Sequence, residues 1–109
     1  MSELSLEQLA ETIALRARSD DPSSYTAKLM RDGVAKCAKK LGEEAVEAAL
    51  AAVQGNTEEL TREAADVLYH LLVLLEVAGV PFSAVKEELG RRTGRTGLAE
   101  KAARAPGQK

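Results

Sequence analysis

The stretch "EEAVEAALAAVQGNTEELTREAAD", from Glu43 to Asp66, decides the fold. Alanine and leucine fill both of its flanks, and these residues favour helix over sheet. Between them "GNT" (Gly55 to Thr57) breaks the pattern. Gly55 suits the end of one helix, and Asn56 with Glu59 three residues on suits a capping box that starts the next. One long helix is therefore predicted from about Val34 to Gln54. A second runs to about Ala78 and stops at Gly79 before Pro81. The turn is short enough to make the two antiparallel neighbours.

The same signals extend outward. Ser5 with Gln8 reads as a capping box that opens a helix through about Arg18, with Leu6, Leu9, Ile13 and Ala17 as its apolar stripe. "SDDPSS" (Ser19 to Ser24) is a break, with Pro22 among turn-forming polar residues. Ser24 caps a short segment, Tyr25 to Asp32, that ends near Gly33. Ser83 is expected to cap a last helix through about Arg92. Gly42, inside the long helix, costs about 1 kcal/mol against alanine. Close approach by another helix or a ligand and a tolerated surface glycine are both open explanations for it. No run of period two and no hairpin signal is present. The expected class is all-α, a bundle of about four to five helices in which two long antiparallel helices carry the site. Residues 1–93 are expected to form one domain, followed by a basic flexible tail, 94–109, that orders on a partner or phosphate or stays solvated.

At 109 residues the chain suffices for one core and not for two. Its net charge of −2 argues for no nucleic acid and no membrane as partner. Cys37 is the only cysteine, which excludes an internal disulfide and zinc-finger spacing and fits a reducing, cytoplasmic setting. No basic stretch followed by an apolar one marks a signal peptide at the start. The longest apolar run, Val67 to Leu75, is too short to span a bilayer. "LYHLLVLL" is apolar nearly all round, which suits burial on both sides in a dimer; packing within one copy is the rival reading.

The acids carry the chemistry. On an ideal helical wheel Glu47 lies roughly 60° from Glu44, with Lys40 between them one turn earlier. The apolar stripe (Val34, Leu41, Ala45, Ala48, Ala52) is expected on the other side of Glu44. Asp66 stands in the same relation to Glu63, with His70 between them one turn later and Leu60, Val67, Leu71, Leu74 and Ala78 as the stripe. Packed together, the two helices bring four carboxylates to one place. Such acids repel unless a cation intervenes, and an all-oxygen set favours Mg²⁺, with Mn²⁺ as the second choice, over zinc. Lys40 and Lys36 lie on nearly the same line and suit phosphate. Lys28 and Arg31 extend the basic stretch, and Tyr25, Thr26 and His70 are further candidates for substrate contact. A structural histidine bonded to an acid is the bland reading of His70, and capping plus packing that of the "SSYTAKL" stretch.

The pattern "EEAVE" (Glu43 to Glu47), fifteen residues, then "EAAD" (Glu63 to Asp66) resembles the signature of the all-α nucleoside triphosphate pyrophosphohydrolases, the MazG-like superfamily. "SYTAKL", "KKLGEEAVE" and "ADVLYHLLVLL" together resemble the narrower family of phosphoribosyl-ATP pyrophosphatases of histidine biosynthesis. That resemblance implies Mg²⁺-dependent hydrolysis of phosphoribosyl-ATP to phosphoribosyl-AMP and pyrophosphate by a homodimer. It places the metal-binding and catalytic acids on Glu44, Glu47, Glu63 and Asp66, with Glu43 in a less direct role. In many bacteria this activity is fused behind a cyclohydrolase, and no such part is visible here, so that second activity is not expected. The alternatives are a housekeeping (d)NTP pyrophosphatase of the same superfamily and a non-catalytic helical dimerisation module. A di-iron bundle is disfavoured, because neither acid pair has the Glu-x-x-His form.

Overall fold

A computed structural model describes residues 3–94 as five helices in the order α1 (Leu6–Ala17), α2 (Tyr25–Asp32), α3 (Val34–Val53), α4 (Thr57–Ala78) and α5 (Phe82–Thr93). No strand occurs among the described residues, so the fold is all-α. The basic tail expected from residue 94 onward lies, beyond Gly94, outside the described residues.

Each helix start has a local cause. Ser5 Oγ accepts from Gln8 N–H at 3.0 Å while Gln8 Oε1 accepts from Ser5 N–H at 2.9 Å, a complete capping box. Ser24 Oγ accepts from Ala27 N–H and starts α2. Asn56 Oδ1 accepts from Glu59 N–H at 3.0 Å, but the reciprocal bond is missing. The Glu59 carboxylate is drawn to Arg62 instead, so only half of that expected box forms. Ser83 does not cap α5: the helix begins two residues after Val80, with Pro81 at the cap position and no side-chain cap bond. The ring holds Pro81 at φ −70°, and its carbonyl accepts from Ala84 N–H, so the turn closes before Ser83 is reached.

Two glycines set the chain's direction. Gly33 has φ +94° and separates α2 from α3, a conformation that a side chain would strain. Gly55 has φ +74°, with its N–H on Ala52 C=O and Asn56 N–H on Ala51 C=O. This is a Schellman closure, and it folds α4 back along α3.

The α3–α4 hairpin is the most extensive contact among the described helices, and α1 and α2 pack across its open end. The core gathers there: Ile13, Leu29, Cys37, Leu72 and Val73 are buried together, with Leu9, Tyr69, Leu74 and Phe82 packed around them. Cys37 is a buried free thiol that donates to Leu29 C=O at 3.3 Å, and burial pushes its pKa up. Leu6, expected in the α1 stripe, is 40% exposed.

The inward face of α3 differs from the expected one. Cys37 and Ala51 are buried, and Leu41, Glu44 and Ala48 are half-buried. Val34, Ala45 and Ala52 are exposed. On α4 the buried or half-buried line is Glu63, Val67, His70 and Leu74. Of the four acids, Glu63 is buried and Glu44 half-buried in the seam, while Glu47 and Asp66 are exposed at its edge. A wheel gives angles between residues but not which side of an acid the neighbouring helix covers.

Candidate active site

Between the GNT turn and the core, the hairpin seam is polar. Carboxylate oxygens of Glu44 on α3 and of Glu63 and Asp66 on α4 all lie within 4.8 Å of one another. Glu63 is 8% exposed, and its Oε1 faces no hydrogen-bond donor. The neighbours of that side chain are other acids. The Glu59 carboxylate one turn earlier acts first, then Glu44, burial and Glu47, and together they raise the Glu63 pKa to about 8. A buried carboxylate in acidic company must take up a proton or a cation.

The structure places the other candidates as follows. Glu47 is exposed and lies against Glu63, outside the three-acid group. Glu43 is exposed and pairs with Lys40 at 3.8 Å. Lys40 Nζ also stands 4.0 Å from Glu44 Oε2, which puts one cation at the rim of the acids. Lys36 and Arg31 are exposed and act on Asp32 through their charge. Lys28 is bonded to that same Asp32 at 2.9 Å. No described contact joins Lys28, Arg31 or Lys36 to the acid cluster.

His70 is buried, its Nδ1 has no hydrogen-bond partner, and none of the described hydrogen bonds involves its ring. Burial lowers its pKa first; Glu44 opposes this, Lys40 adds to it, and Asp66 opposes it. The imidazole is therefore neutral and beside the acids without being bonded to one. Its ring meets Tyr69 edge-on at 5.1 Å and Tyr25 at 6.1 Å, and the two tyrosines stack at 6.3 Å. Tyr69 also reaches a polar group: its hydroxyl and that of buried Thr26 share a hydrogen bond.

Glu59 is the residue that the motif does not contain. It lies one turn before Glu63 on the same helix face, a spacing visible in the sequence but absorbed there by the expected capping role. Its bond to Arg62 at 2.7 Å lowers its pKa and keeps it ionised beside Glu63.

Residues 6–93 match the family described as Phosphoribosyl-ATP pyrophosphohydrolase. A relative from Methylobacterium radiotolerans named phosphoribosyl-ATP pyrophosphatase is 60% identical over 106 residues, 97% of this chain and 99% of its own. Proteins of the same name from Agrobacterium fabrum and Rhizorhabdus wittichii are each 56% identical, over 95% and 94% of this chain and 97% and 96% of theirs. With the acid-lined hairpin, these matches define the class: an all-α hydrolase of a phosphoric anhydride. Within that class, the chain belongs to the phosphoribosyl-ATP pyrophosphohydrolase family.

Proposed function

We propose that the protein hydrolyses phosphoribosyl-ATP to phosphoribosyl-AMP and pyrophosphate, the second step of histidine biosynthesis, in a Mg²⁺-dependent reaction. The observation that carries this reading is the buried Glu63 carboxylate, with an oxygen that no donor satisfies, grouped with Glu44 and Asp66. The residues present fit a hard divalent ion, because the group offers carboxylate oxygen alone, and Mn²⁺ suits it next. Glu44, Glu63 and Asp66 would hold the ion, with exposed Glu47 beside Glu63. A bound ion supplies Lewis-acid stabilisation of the charge that builds on the phosphates.

The chain's own groups do the rest. Lys40, at the rim, neutralises phosphate oxygens that the acids would otherwise repel, and Lys36 extends that charge one turn back. Glu47 orients the attacking water and accepts its proton. Neutral His70 offers a hydrogen bond to a phosphate without adding charge to a crowded site. Tyr25 gives a flat surface at the edge of this group for the base.

The protein works as a homodimer in the cytoplasm on this reading. Val46, Leu50 and Val53 recur at i, i+4 and i+7 on the outer side of α3 and are 59%, 53% and 85% exposed. Leu68 of α4 is also exposed, and such a face on a two-helix wall suits a second copy. No helix is long and apolar enough by itself to cross a membrane.

The test supplies phosphoribosyl-ATP, dUTP and ordinary triphosphates with Mg²⁺, with Mn²⁺, and with a chelator, and measures pyrophosphate release. Release from phosphoribosyl-ATP that stops on chelation is expected. Preference for dUTP, or release indifferent to chelation, contradicts the proposal. Calorimetry gives a readout independent of turnover: Mg²⁺ binds the wild type and not Glu63→Gln.

A further inference from the structure

A second polar hollow, of about 380 Å³, shares Tyr25 with the site described above, and its other walls have no role there. Its walls are the last turn of α1 with Arg16, the loop with Asp21 and Ser23, the first turn of α2 with Tyr25 and Thr26, and Tyr69 of α4. We propose that this hollow is a sugar-phosphate subsite, which seats a ribose 5-phosphate group with its phosphate on Arg16.

The chemistry of the walls selects this ligand. The Arg16 side chain makes no ion pair and no hydrogen bond among the described residues, so its fork of donors is available to a phosphate. Lys28 and Lys40, by contrast, are already paired, Lys28 with Asp32 and Lys40 with Glu43 and Glu44. Asp21 Oδ1 accepts both the N–H of Ser23 at 2.9 Å and its Oγ–H at 2.8 Å. This holds the carboxylate ionised and still, with Oδ2 open to a sugar hydroxyl. Hydroxyl side chains supply much of the remaining lining, which suits a polyhydroxyl anion better than an apolar ligand.

Position joins the hollow to the reaction. Tyr69 and Tyr25 line it, and the rings of both contact His70, which feels Glu44, Lys40 and Asp66. The hollow and the acid cluster thus lie on either side of one aromatic group. Phosphoribosyl-ATP has two phosphorylated ends, a triphosphate and a ribose 5-phosphate, joined through the base. With the triphosphate at the acids, the base falls at the tyrosines and the sugar phosphate at Arg16. This assignment rests on the proposed reaction for the identity of the ligand, while the hollow itself does not.

The test titrates ribose 5-phosphate, and separately inorganic phosphate, into the ¹⁵N-labelled full chain without added metal. Shifts are expected at the Arg16 side-chain N–H and at the amides of Ser23, Tyr25 and Thr26. Ribose 5-phosphate should bind at least about 10-fold tighter than inorganic phosphate, the scale of one or two added hydrogen bonds. Arg16→Gln and Ser23→Glu, both at exposed positions, should each weaken it by about 10-fold or more, and Glu63→Gln should leave it bound. In turnover, the first two variants should raise KM for phosphoribosyl-ATP by about 10-fold with kcat nearly unchanged, the mark of binding energy shared by ground and transition states. Shifts centred on Lys36 and Lys40, or equal affinity for the two probes, overturn the proposal. If ribose 5-phosphate seats on Arg16 in a protein that does not cleave phosphoribosyl-ATP, the reaction assigned above falls and the subsite stands.

Discussion

The hydroxyls of Thr26 on α2 and Tyr69 on α4 lie 2.5 Å apart, across 43 residues of sequence. Thr26 is 2% exposed, so its hydroxyl has little access to water as an alternative partner. This bond fixes the first turn of α2 against the helix that carries Glu63 and Asp66. Thr26→Val keeps the shape and removes the hydroxyl. It should cost about 1–2 kcal/mol in urea unfolding, and a double-mutant cycle with Tyr69→Phe should recover part of that cost as coupling. Independent, additive losses would show that the contact contributes nothing of its own.

Glu63→Gln removes the buried charge of the acid group and should lower kcat by at least about 100-fold, the scale of one lost electrostatic stabiliser. Glu47→Gln should also lower it strongly, through water orientation rather than ion retention. Circular dichroism should show the helices of both intact. Near-wild-type turnover in either variant refutes the role given to that acid.

Protonation of Glu63 makes stability depend on pH and on metal. Its carboxyl is pushed up to about 8 from an ordinary value of 4.5, first by Glu59, then by Glu44 and burial. A carboxyl raised on folding contributes its full stability below the ordinary value and loses it as pH rises through the raised one. In a chelator, the urea midpoint should therefore fall between about 4.5 and about 8. Glu63→Gln should flatten that fall, and saturating Mg²⁺ should also remove it, because the cation replaces the proton. The same slope in Glu63→Gln would assign the effect to other groups.

Gly42 lies mid-helix on α3, and a Cβ built there meets nothing within 4 Å. No other described helix comes within 4 Å of that position. Gly42→Ala should raise stability by about 0.5–1 kcal/mol through the unfolded chain's entropy, with kcat/KM unchanged. A loss of activity on that substitution would show that substrate or a second copy occupies the space.

The outer face of α3 can be tested by charge. Leu50→Glu places a carboxylate among Val46, Val53 and their counterparts in a second copy. Light scattering should report a dimer for the wild type and a monomer for the variant. A monomeric wild type, or a variant of unchanged mass, overturns the assembly proposed for this face.

Much of this was legible because its causes are local. The Ser5 box, the Ser24 cap, Gly33 and the Gly55 turn each act within a few residues, and alanine-rich flanks leave little competition with helix. Spacing also put Glu44, Glu63 and Asp66 on faces that an antiparallel hairpin can unite. Ser83 misled because two neighbouring residues can each start a helix, and the proline, with its fixed φ, prevailed. Glu59 was hidden by its own local role, since a residue suited to a cap gives no sign of what it meets across the seam.

Sequence alone therefore determined the five helices, the direction of the hairpin and the oxygen-only character of the acids, all of which follow from near-neighbour geometry. Tertiary structure decided which residues of α3 face inward, and so which of the four acids, Glu63 above all, are withdrawn from solvent. It also decided that Glu63 is buried without a donor, that His70 stands edge-on to two stacked tyrosines, and that Arg16 faces a hollow. Each of these depends on which side chains from distant segments exclude water at one point, and no spacing along a single helix encodes that.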